Sequence, residues 1–313
     1  MGSFLTRRDF LAQATYTGAL LMLARPGAAA GGMYVSLNGS LVNKPGQSLP
    51  WPDFVRLAGK VGYGGVDVNL GQARKDGLEP TRALLAEANV KPGIASLPLQ
   101  FTAPDDAAFQ AGLKQLEESA KFCAAIGLNR MMAVLSPGSP VPREERHTFV
   151  KDRLTAVAEV LAASNIRLGL EFLGPLQFRT RSPYQFIWTL RDTVALATEI
   201  APNIGVVLDI WHWHHSGGTV DDIIAAGKSR IVHIHLSDAK AQPPEEVRDN
   251  QRLMPGEGII DSVGFFQALK KIGYEDAISP EPIGRVPADM SPEDGARLGL
   301  DTTLAVMKKA GVA

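Results

Sequence analysis

Short apolar segments alternate with amphipathic helical segments along most of this chain, and that alternation restricts the possible folds more than any other feature. Parallel strands joined by helical crossovers produce this pattern, because each helix returns the chain to the same edge of the sheet. Eight strands are predicted at residues 33–37, 65–68, 93–97, 130–135, 167–172, 205–209, 231–236 and 277–281. Helices are predicted at residues 51–61, 79–88, 105–126, 147–163, 185–199, 220–226, 262–272 and 292–310.

Eight strand–helix units predict a closed (β/α)8 TIM barrel of the α/β class rather than an open doubly wound sheet. Such barrels typically need about 250 residues, and the 313 residues of this chain show no composition break that would mark a linker. No G-x-G-x-x-G motif follows the first strand, which weakens the dinucleotide-binding alternative. We therefore expect residues 31–313 to form a single domain.

The charge balance argues against a nucleic-acid partner. Lys and Arg number 32, Asp and Glu number 33, and the formal net charge is −1. Nucleic-acid binders usually carry a basic surplus, because neutralising phosphates supplies much of their affinity. Cys123 is the single cysteine, which excludes an intrachain disulfide and a cysteine-based zinc cluster. We interpret it as a small buried apolar residue.

Residues 1–30 resemble a twin-arginine (Tat) export signal. Arg7 and Arg8 precede Phe10 and Leu11, a short apolar run follows, and the alanines at 28–30 offer a cleavage site. The run is shorter than the about 20 residues that a membrane span needs. The alternative is an amphipathic first helix with a chance arginine pair. We predict export of the folded protein by the Tat machinery to a bacterial periplasm, without stable membrane insertion.

Four consecutive predicted strands end in side chains that bind divalent metals. Glu171 ends the fifth strand, Asp209 the sixth, His235 the seventh and Glu281 the eighth. Each alone has a structural explanation, such as a helix cap for Asp209 or a pair with a nearby arginine for either glutamate. Four at the same end of a barrel, where catalytic groups lie, instead favour a shared site. Three carboxylates and one imidazole suit one Mn²⁺, Mg²⁺, Co²⁺ or Zn²⁺ ion.

The segments around these residues resemble the xylose isomerase-like barrel superfamily, often called the sugar phosphate isomerase/epimerase family. They read LEF at 170–172, LDIWH at 208–212, HIHLSD at 233–238, PGEGIID at 255–261 and PEP at 280–282. The resemblance implies that Glu171, Asp209, His235 and Glu281 bind one divalent metal. It also implies that His212 hydrogen-bonds a substrate oxygen, and that Glu171 and Glu281 transfer protons as the catalytic pair.

These residue types suit isomerisation or epimerisation of a keto-sugar or related polyol through an enediolate. A divalent ion that polarises a carbonyl acidifies the neighbouring C–H, and carboxylates can remove and return that proton. If a leaving group lies next to the carbanion, the protein would instead be a lyase or dehydratase acting on an oxidised sugar or cyclitol. A non-catalytic periplasmic carbohydrate-binding barrel is a further alternative. A DNA-repair endonuclease is disfavoured, because such relatives need more histidines at strand ends.

Three more residues are predicted to bind substrate beside His212, namely Trp211, Arg252 and Glu257. Trp211 could instead pack within its own loop. Glu257 lies between two glycines and could equally be a turn residue. The long polar segment after the seventh strand, which carries Arg252 and Glu257, is expected to be functional, because irregular loops of this length are uncommon in compact domains.

Two positions differ from the pattern of ketose 3-epimerases. Gln177 replaces a second glutamate and Ala241 replaces an arginine, so Lys240, Arg248 or Arg252 would have to supply the positive charge. A free ketose is therefore a less favoured substrate than an oxidised sugar, a cyclitol or a keto-glycoside. His233 is expected to point away from His235 and to be structural or to lie next to the metal ligands. The sequence leaves assembly into an oligomer open.

Overall fold

The computed structural model describes residues 32–44 and 46–313, so the predicted export signal lies outside the described residues. Eight parallel strands form a closed barrel in which each strand pairs with its neighbours in chain order and the last pairs with the first. The predicted (β/α)8 TIM barrel is confirmed. The barrel strands are β1 Tyr34–Leu37, β2 Gly65–Val68, β3 Lys91–Ser96, β4 Arg130–Leu135, β5 Arg167–Phe172, β6 Ile204–Asp209, β7 Ile231–Leu236 and β8 Ala277–Pro280.

Helices connect the strands and form the outer layer. They are α1 Trp51–Val61, α2 Leu70–Asp76, α3 Leu78–Ala88, α4 Asp106–Ala125, α5 Arg143–Ala162, α6 Leu176–Arg179, α7 Leu190–Ile200, α8 Ile210–His215, α9 Val220–Ala226, α10 Ser262–Lys271 and α11 Pro292–Lys309. The short helices α2, α6 and α8 are absent from the sequence prediction, because segments this short carry too little helical periodicity. Gly138–Ser139 and Tyr184–Gln185 form a small antiparallel ribbon outside the barrel. None of the helices in the described part of the chain has both the length and the apolar character that crossing a membrane requires.

Local sequence signals set the ends of several helices. Thr219 and Asp222 form a reciprocal capping box at the start of α9, each side chain accepting a backbone N–H of the other residue. Asp105 caps α4 by accepting two backbone N–H groups. Gly62 ends α1 with φ 103°, a left-handed conformation that favours glycine. These signals explain why the predicted and observed helix boundaries agree closely there.

Most residues of the barrel strands are buried, and the polar residues among them indicate where the fold has a role beyond packing. Every residue of β6 and β7 is buried, including Asp209 on β6 and both His233 and His235 on β7. Burying a charged or polar side chain is costly unless it has hydrogen-bond or ionic partners. The residues that meet these three side chains therefore define the candidate site.

The loop between β7 and α10 is anchored at both ends by Asp238. The buried carboxylate of Asp238 accepts backbone N–H groups from Ala239 at 2.8 Å, Gly256 at 3.1 Å, Gly258 at 2.9 Å and Ile260 at 3.0 Å. A Cβ at position 258 would lie 2.2 Å from the carbonyl oxygen of Ala239, so only glycine allows this approach. The anchored loop carries Arg252 to the barrel mouth.

Candidate functional site

A cavity of about 760 Å³ opens at the carboxyl ends of the barrel strands. Its polar lining includes Asp67, Glu171, His212, His235, Arg252 and Glu281. Its apolar lining includes Ile94, Leu97, Met132, Val134, Leu173 and Phe178. Strands β3 and β4, which carry several of the apolar residues, lie across the closed barrel from β7 and β8. The cavity therefore suits a ligand with polar groups on one side and C–H groups on another.

The four predicted metal ligands meet at this cavity. Each of Glu171, Asp209, His235 and Glu281 offers one ligand atom, and these atoms all lie within 4.8 Å of one another. His235 Nδ1 lies 2.7 Å from Glu171 Oε1 and 3.4 Å from Glu281 Oε2. The donor set has three carboxylate oxygens and one imidazole nitrogen, which fits a divalent cation of the Mg²⁺, Mn²⁺, Co²⁺ or Zn²⁺ type.

Asp209 has the two roles that the sequence presents as alternatives. Its Oδ1 caps α8 by accepting the backbone N–H groups of Trp211 at 2.7 Å and His212 at 3.1 Å. Its Oδ2 accepts a hydrogen bond from Arg252 Nη1 at 2.7 Å. Capping therefore fixes the carboxylate while one oxygen remains in the ligand cluster.

Neither Arg179 nor Arg285 pairs with a glutamate of the cluster. Arg285 forms its ion pair with Glu257, and Arg179 stacks on the ring of Trp188 at 3.9 Å. Glu281 does have an arginine partner, but that partner is Arg252 from the loop between β7 and α10 rather than Arg285.

Arg252 provides a buried positive charge to the cluster. Besides Asp209, its Nη1 donates to Glu281 Oε2 at 3.3 Å, and its Nη2 donates to His212 Nε2 at 3.3 Å. The remaining donors are held by Asp249 Oδ1 at 2.8 and 2.9 Å. The guanidinium is thus fixed by partners on several sides and lines the cavity.

Burial and charge shift the pKa values of three cluster members. Burial raises the pKa of Glu281 to about 7 against the opposing charges of His235 and Arg252. Burial alone would lower the pKa of His235, but Glu281 and Glu171 raise it to about 10. Burial would also raise the pKa of Asp209, yet Arg252 and the nearby imidazoles hold it below its ordinary value. Two groups in the cluster therefore bind protons that a metal ion would displace.

His212 and Trp211 occupy different positions relative to the cavity. His212 lines it, and burial lowers the pKa of this imidazole, so the ring is neutral. The cavity-lining residues do not include Trp211. Its ring instead lies under the Arg252 guanidinium at 4.7 Å and packs edge-on against His212 at 5.3 Å. Trp211 is thus placed to support the two side chains that face the cavity.

Glu257 lies outside the cavity wall. Its carboxylate accepts Arg285 Nε at 2.9 Å and Nη2 at 3.0 Å, and it also accepts the backbone N–H of Met254 at 3.1 Å. The Arg285 hydrogen bond lowers the pKa of Glu257. This geometry matches the turn alternative, and a role of Glu257 in substrate binding stays a prediction.

Asp67 lines the cavity but is absent from the sequence prediction. Its Oδ1 accepts hydrogen bonds from Ser36 at 2.7 Å and Ser279 at 2.8 Å, and its Oδ2 accepts one from Asn38 at 3.0 Å. Burial raises its pKa. A signal was available, because Asp67 is an acidic residue near the end of the short apolar strand β2, which is the same criterion that identified Asp209.

The expectation that His233 points away from His235 is wrong. Side chains alternate along a strand, so residues two apart share a face. The two imidazole rings meet edge-on at 5.3 Å inside the barrel. His233 Nε2 lies 2.9 Å from Ser279 Oγ, which places His233 beside the ligand cluster rather than in it.

Comparison with known proteins places the chain in a family. Residues 55–308 match the model of the Xylose isomerase-like TIM barrel family. The chain belongs to this family. Inosose isomerase of Bacillus subtilis (strain 168) is 25% identical over 221 residues, which span 70% of this chain and 77% of that protein.

Two solved structures show the same fold. A xylose isomerase domain protein from Alicyclobacillus acidocaldarius has a TM-score of 0.81 at 27% identity, covering 89% of this chain and 99% of that chain. The IolI protein with a bound zinc atom has a TM-score of 0.74 at 21% identity, covering 88% of this chain and 98% of that chain.

The xylose isomerase-like TIM barrel family accounts for the sequence resemblance. The relatives include isomerases, which confirms the prediction that this chain belongs to a family of isomerase-type enzymes. The structure also identifies Arg252 as the positive charge near the cluster. Lys240 is exposed, and Arg248 donates to the backbone carbonyls of Glu245 and Val247.

Proposed function

We propose that this protein is a divalent-metal-dependent sugar isomerase or epimerase that acts through an enediolate on a keto-sugar or a related polyol. The observation that carries the proposal is the convergence of Glu171, Asp209, His235 and Glu281 at one end of a large cavity. So many carboxylates in a buried cluster are costly unless positive charge compensates them. A bound cation would provide that compensation.

The charges of the site support a divalent ion. Glu171, Asp209 and Glu281 would carry three negative charges when ionised, and Arg252 carries one positive charge. With a neutral His235, one divalent ion bound by these four ligands would balance the cluster. Mn²⁺, Mg²⁺, Co²⁺ and Zn²⁺ all suit such ligands, and the related IolI protein contains zinc. When bound, the ion supplies Lewis-acid polarisation of a substrate carbonyl.

Glu171 and Glu281 are the proposed proton-transfer pair. They extend from the ends of β5 and β8, so they reach the cavity from separate parts of the barrel rim. One carboxylate would remove the proton from the carbon beside the carbonyl, and the other would supply a proton. Return to the opposite face of the same carbon gives epimerisation, and return to the adjacent carbon gives isomerisation.

His212 and Arg252 are the proposed substrate-orienting residues. Both line the cavity, and both lie against members of the cluster. His212 Nε2 accepts from Arg252, so the ring proton lies on Nδ1, which has no hydrogen-bond partner among the described residues. Nδ1 is buried as well, so the proposed role of His212 rests on its place in the cavity lining. For Trp211 we propose support of these two groups.

A lyase or dehydratase is the second candidate function, and the size of the cavity supports it. At about 760 Å³ the cavity lies within the range of about 300–1,000 Å³ that serves drug-sized ligands. It can therefore admit an oxidised sugar that carries a substituent as leaving group. The enediolate that leads to epimerisation would then expel this group. A non-catalytic carbohydrate-binding barrel is the third candidate.

The deciding experiment follows proton exchange. Metal-loaded protein is incubated in D₂O with a panel of keto-sugars, cyclitol ketones and keto-glycosides, and the products are followed by proton NMR. Deuterium at the carbon beside the carbonyl is expected, with an epimer or isomer as product; an eliminated product would identify the lyase. A carbohydrate that binds but does not exchange, even with added Mn²⁺, Mg²⁺, Co²⁺ or Zn²⁺, would contradict both enzyme proposals and support the binding barrel.

Export remains part of the proposal. Arg7 and Arg8, with the apolar run and the alanines that follow, support passage through the Tat machinery to the periplasm. That route transports folded proteins, so the metal would be bound before export. An oxidised sugar, a cyclitol or a keto-glycoside would then be a more suitable substrate than a cytoplasmic sugar phosphate.

A further inference from the structure

We propose that Asp67 is a positioning residue that holds the His235 imidazole in the tautomer with a bare Nδ1 facing the metal ligands. This inference rests on the proposed metal site and adds a carboxylate that lies beside one of its ligands. Ligand atoms of Asp67, His233 and His235 lie within 4.8 Å of one another. They form a second group of possible ligands, which shares His235 with the proposed metal site.

The two nitrogens of His235 have different surroundings. Nδ1 faces the cluster, at 2.7 Å from Glu171 and 3.4 Å from Glu281. Nε2 is buried and has no hydrogen-bond partner among the described residues. A histidine that binds a metal through one nitrogen generally donates the other N–H to a carboxylate, a carbonyl or a water. Nε2–H therefore requires an acceptor on the side away from the cluster.

Asp67 can supply that acceptor. Its Oδ1 already accepts two hydrogen bonds, from Ser36 and Ser279, whereas its Oδ2 accepts one, from Asn38. A carboxylate oxygen can accept about two hydrogen bonds, so Oδ2 retains capacity for one more. Ligand atoms of Asp67 and His235 lie within 4.8 Å of each other, a separation that one bridging water spans, so His235 Nε2–H can use this capacity through a water.

His233 and Ser279 orient Asp67 from the other side. The Ser279 hydroxyl has one proton and donates it to Asp67, so it accepts from His233 Nε2–H at 2.9 Å. The chain His233–Ser279–Asp67 is thus directional, and every step gives a proton toward the carboxylate. This stabilises Asp67 as an acceptor rather than a donor.

The test measures metal binding rather than turnover. Apo-protein is titrated with Mn²⁺ and with Zn²⁺ by calorimetry or chelator competition, for wild type, Asp67→Asn and Asp76→Asn. Asp67→Asn is expected to weaken metal binding by about 10- to 100-fold, because outer-sphere partners of metal ligands have effects of that size. Asp76 lies exposed at the end of α2 and provides the matched control, whose affinity should stay at the wild-type value.

A second measurement does not depend on the variant folding. In zinc-loaded wild-type protein, the ¹⁵N shifts of the His235 ring should show Nδ1 without a proton and Nε2 protonated, with a proton that exchanges slowly with solvent. A protonated Nδ1, or an Asp67→Asn affinity equal to that of the control, overturns the role of Asp67. If wild type itself binds no divalent ion, the proposed metal site fails instead, so the two failures are distinguishable.

Discussion

Arg252 and Asp209 form a buried ion pair in which Nη1 donates to Oδ2 at 2.7 Å, with side chains 2% and 0% exposed. The Arg285–Glu257 pair has a similar separation of 2.9 Å, but its side chains are 35% and 33% exposed. The two pairs differ chiefly in burial and in their neighbours. They provide a matched comparison of a cluster contact with a surface contact.

Replacing Arg252 by Met is expected to destabilise the metal-free protein by about 3–5 kcal/mol, because removing one partner leaves a buried charge uncompensated. Arg285→Met should cost less than about 1 kcal/mol, as exposed pairs do. Urea unfolding in the presence of a chelator measures both. Saturating Mn²⁺ should reduce the difference in stability loss between the two variants, since the ion would neutralise the same carboxylates. Equal losses for the two variants would show that Arg252 does not balance the cluster.

The two glutamates near the barrel mouth should respond differently to removal of their charge. Glu281→Gln is expected to lower kcat by about 10²- to 10⁴-fold, the usual contribution of a general acid–base group. Glu257→Gln should leave kcat/KM nearly unchanged, because Glu257 pairs with Arg285 away from the cavity. Steady-state rates on a responsive substrate, with circular dichroism as the control for folding, test both. A large effect of Glu257→Gln would restore its predicted role in substrate binding.

Metal binding should release protons, and more of them at lower pH. The pKa of Glu281 is about 7 and that of His235 is about 10 in the metal-free cluster, so both groups are mainly protonated below 7. Binding near pH 6 should therefore release about two protons and binding near pH 8 about one, with apparent affinity rising as the pH rises.

Calorimetry in buffers of different ionisation enthalpy counts the released protons. The Glu281→Gln variant lacks one titrating group, so metal binding to it near pH 6 should release about one proton. A proton count that does not change between the two pH values would rule out the shifted pKa of Glu281.

The export prediction is testable without a substrate. Replacing Arg7 and Arg8 by lysine should block Tat transport and leave the uncleaved precursor in the cytoplasm, whereas the wild-type chain should reach the periplasm in a shorter form. Cell fractionation followed by mass spectrometry of the N-terminus measures both outcomes. Periplasmic recovery of the double variant in unchanged amount would argue against the twin-arginine route.

Much of the fold and part of the site follow from local rules. The strand–helix alternation predicts the barrel, since a parallel strand must be followed by a crossover. Asp209 and His235 could be assigned to one end of the barrel because both lie at strand ends. Asp67 meets the same criterion on β2, but β2 is separated in sequence from the four consecutive strands that carry the predicted ligands. The position of His233 also follows from a local rule, since residues two apart on a strand share a face.

Strand and helix periods are local properties of the chain, so the barrel, its helical layer and the common end of the strands that carry the four possible ligands can be predicted from the sequence. The course of the loop between β7 and α10 cannot be predicted in this way. It is the folded structure that brings Arg252, rather than Lys240 or Arg248, to the carboxylates and pairs Glu257 with Arg285. An irregular loop has no period from which side-chain direction can be deduced. Its course depends on the buried carboxylate of Asp238 and its contacts with distant backbone N–H groups.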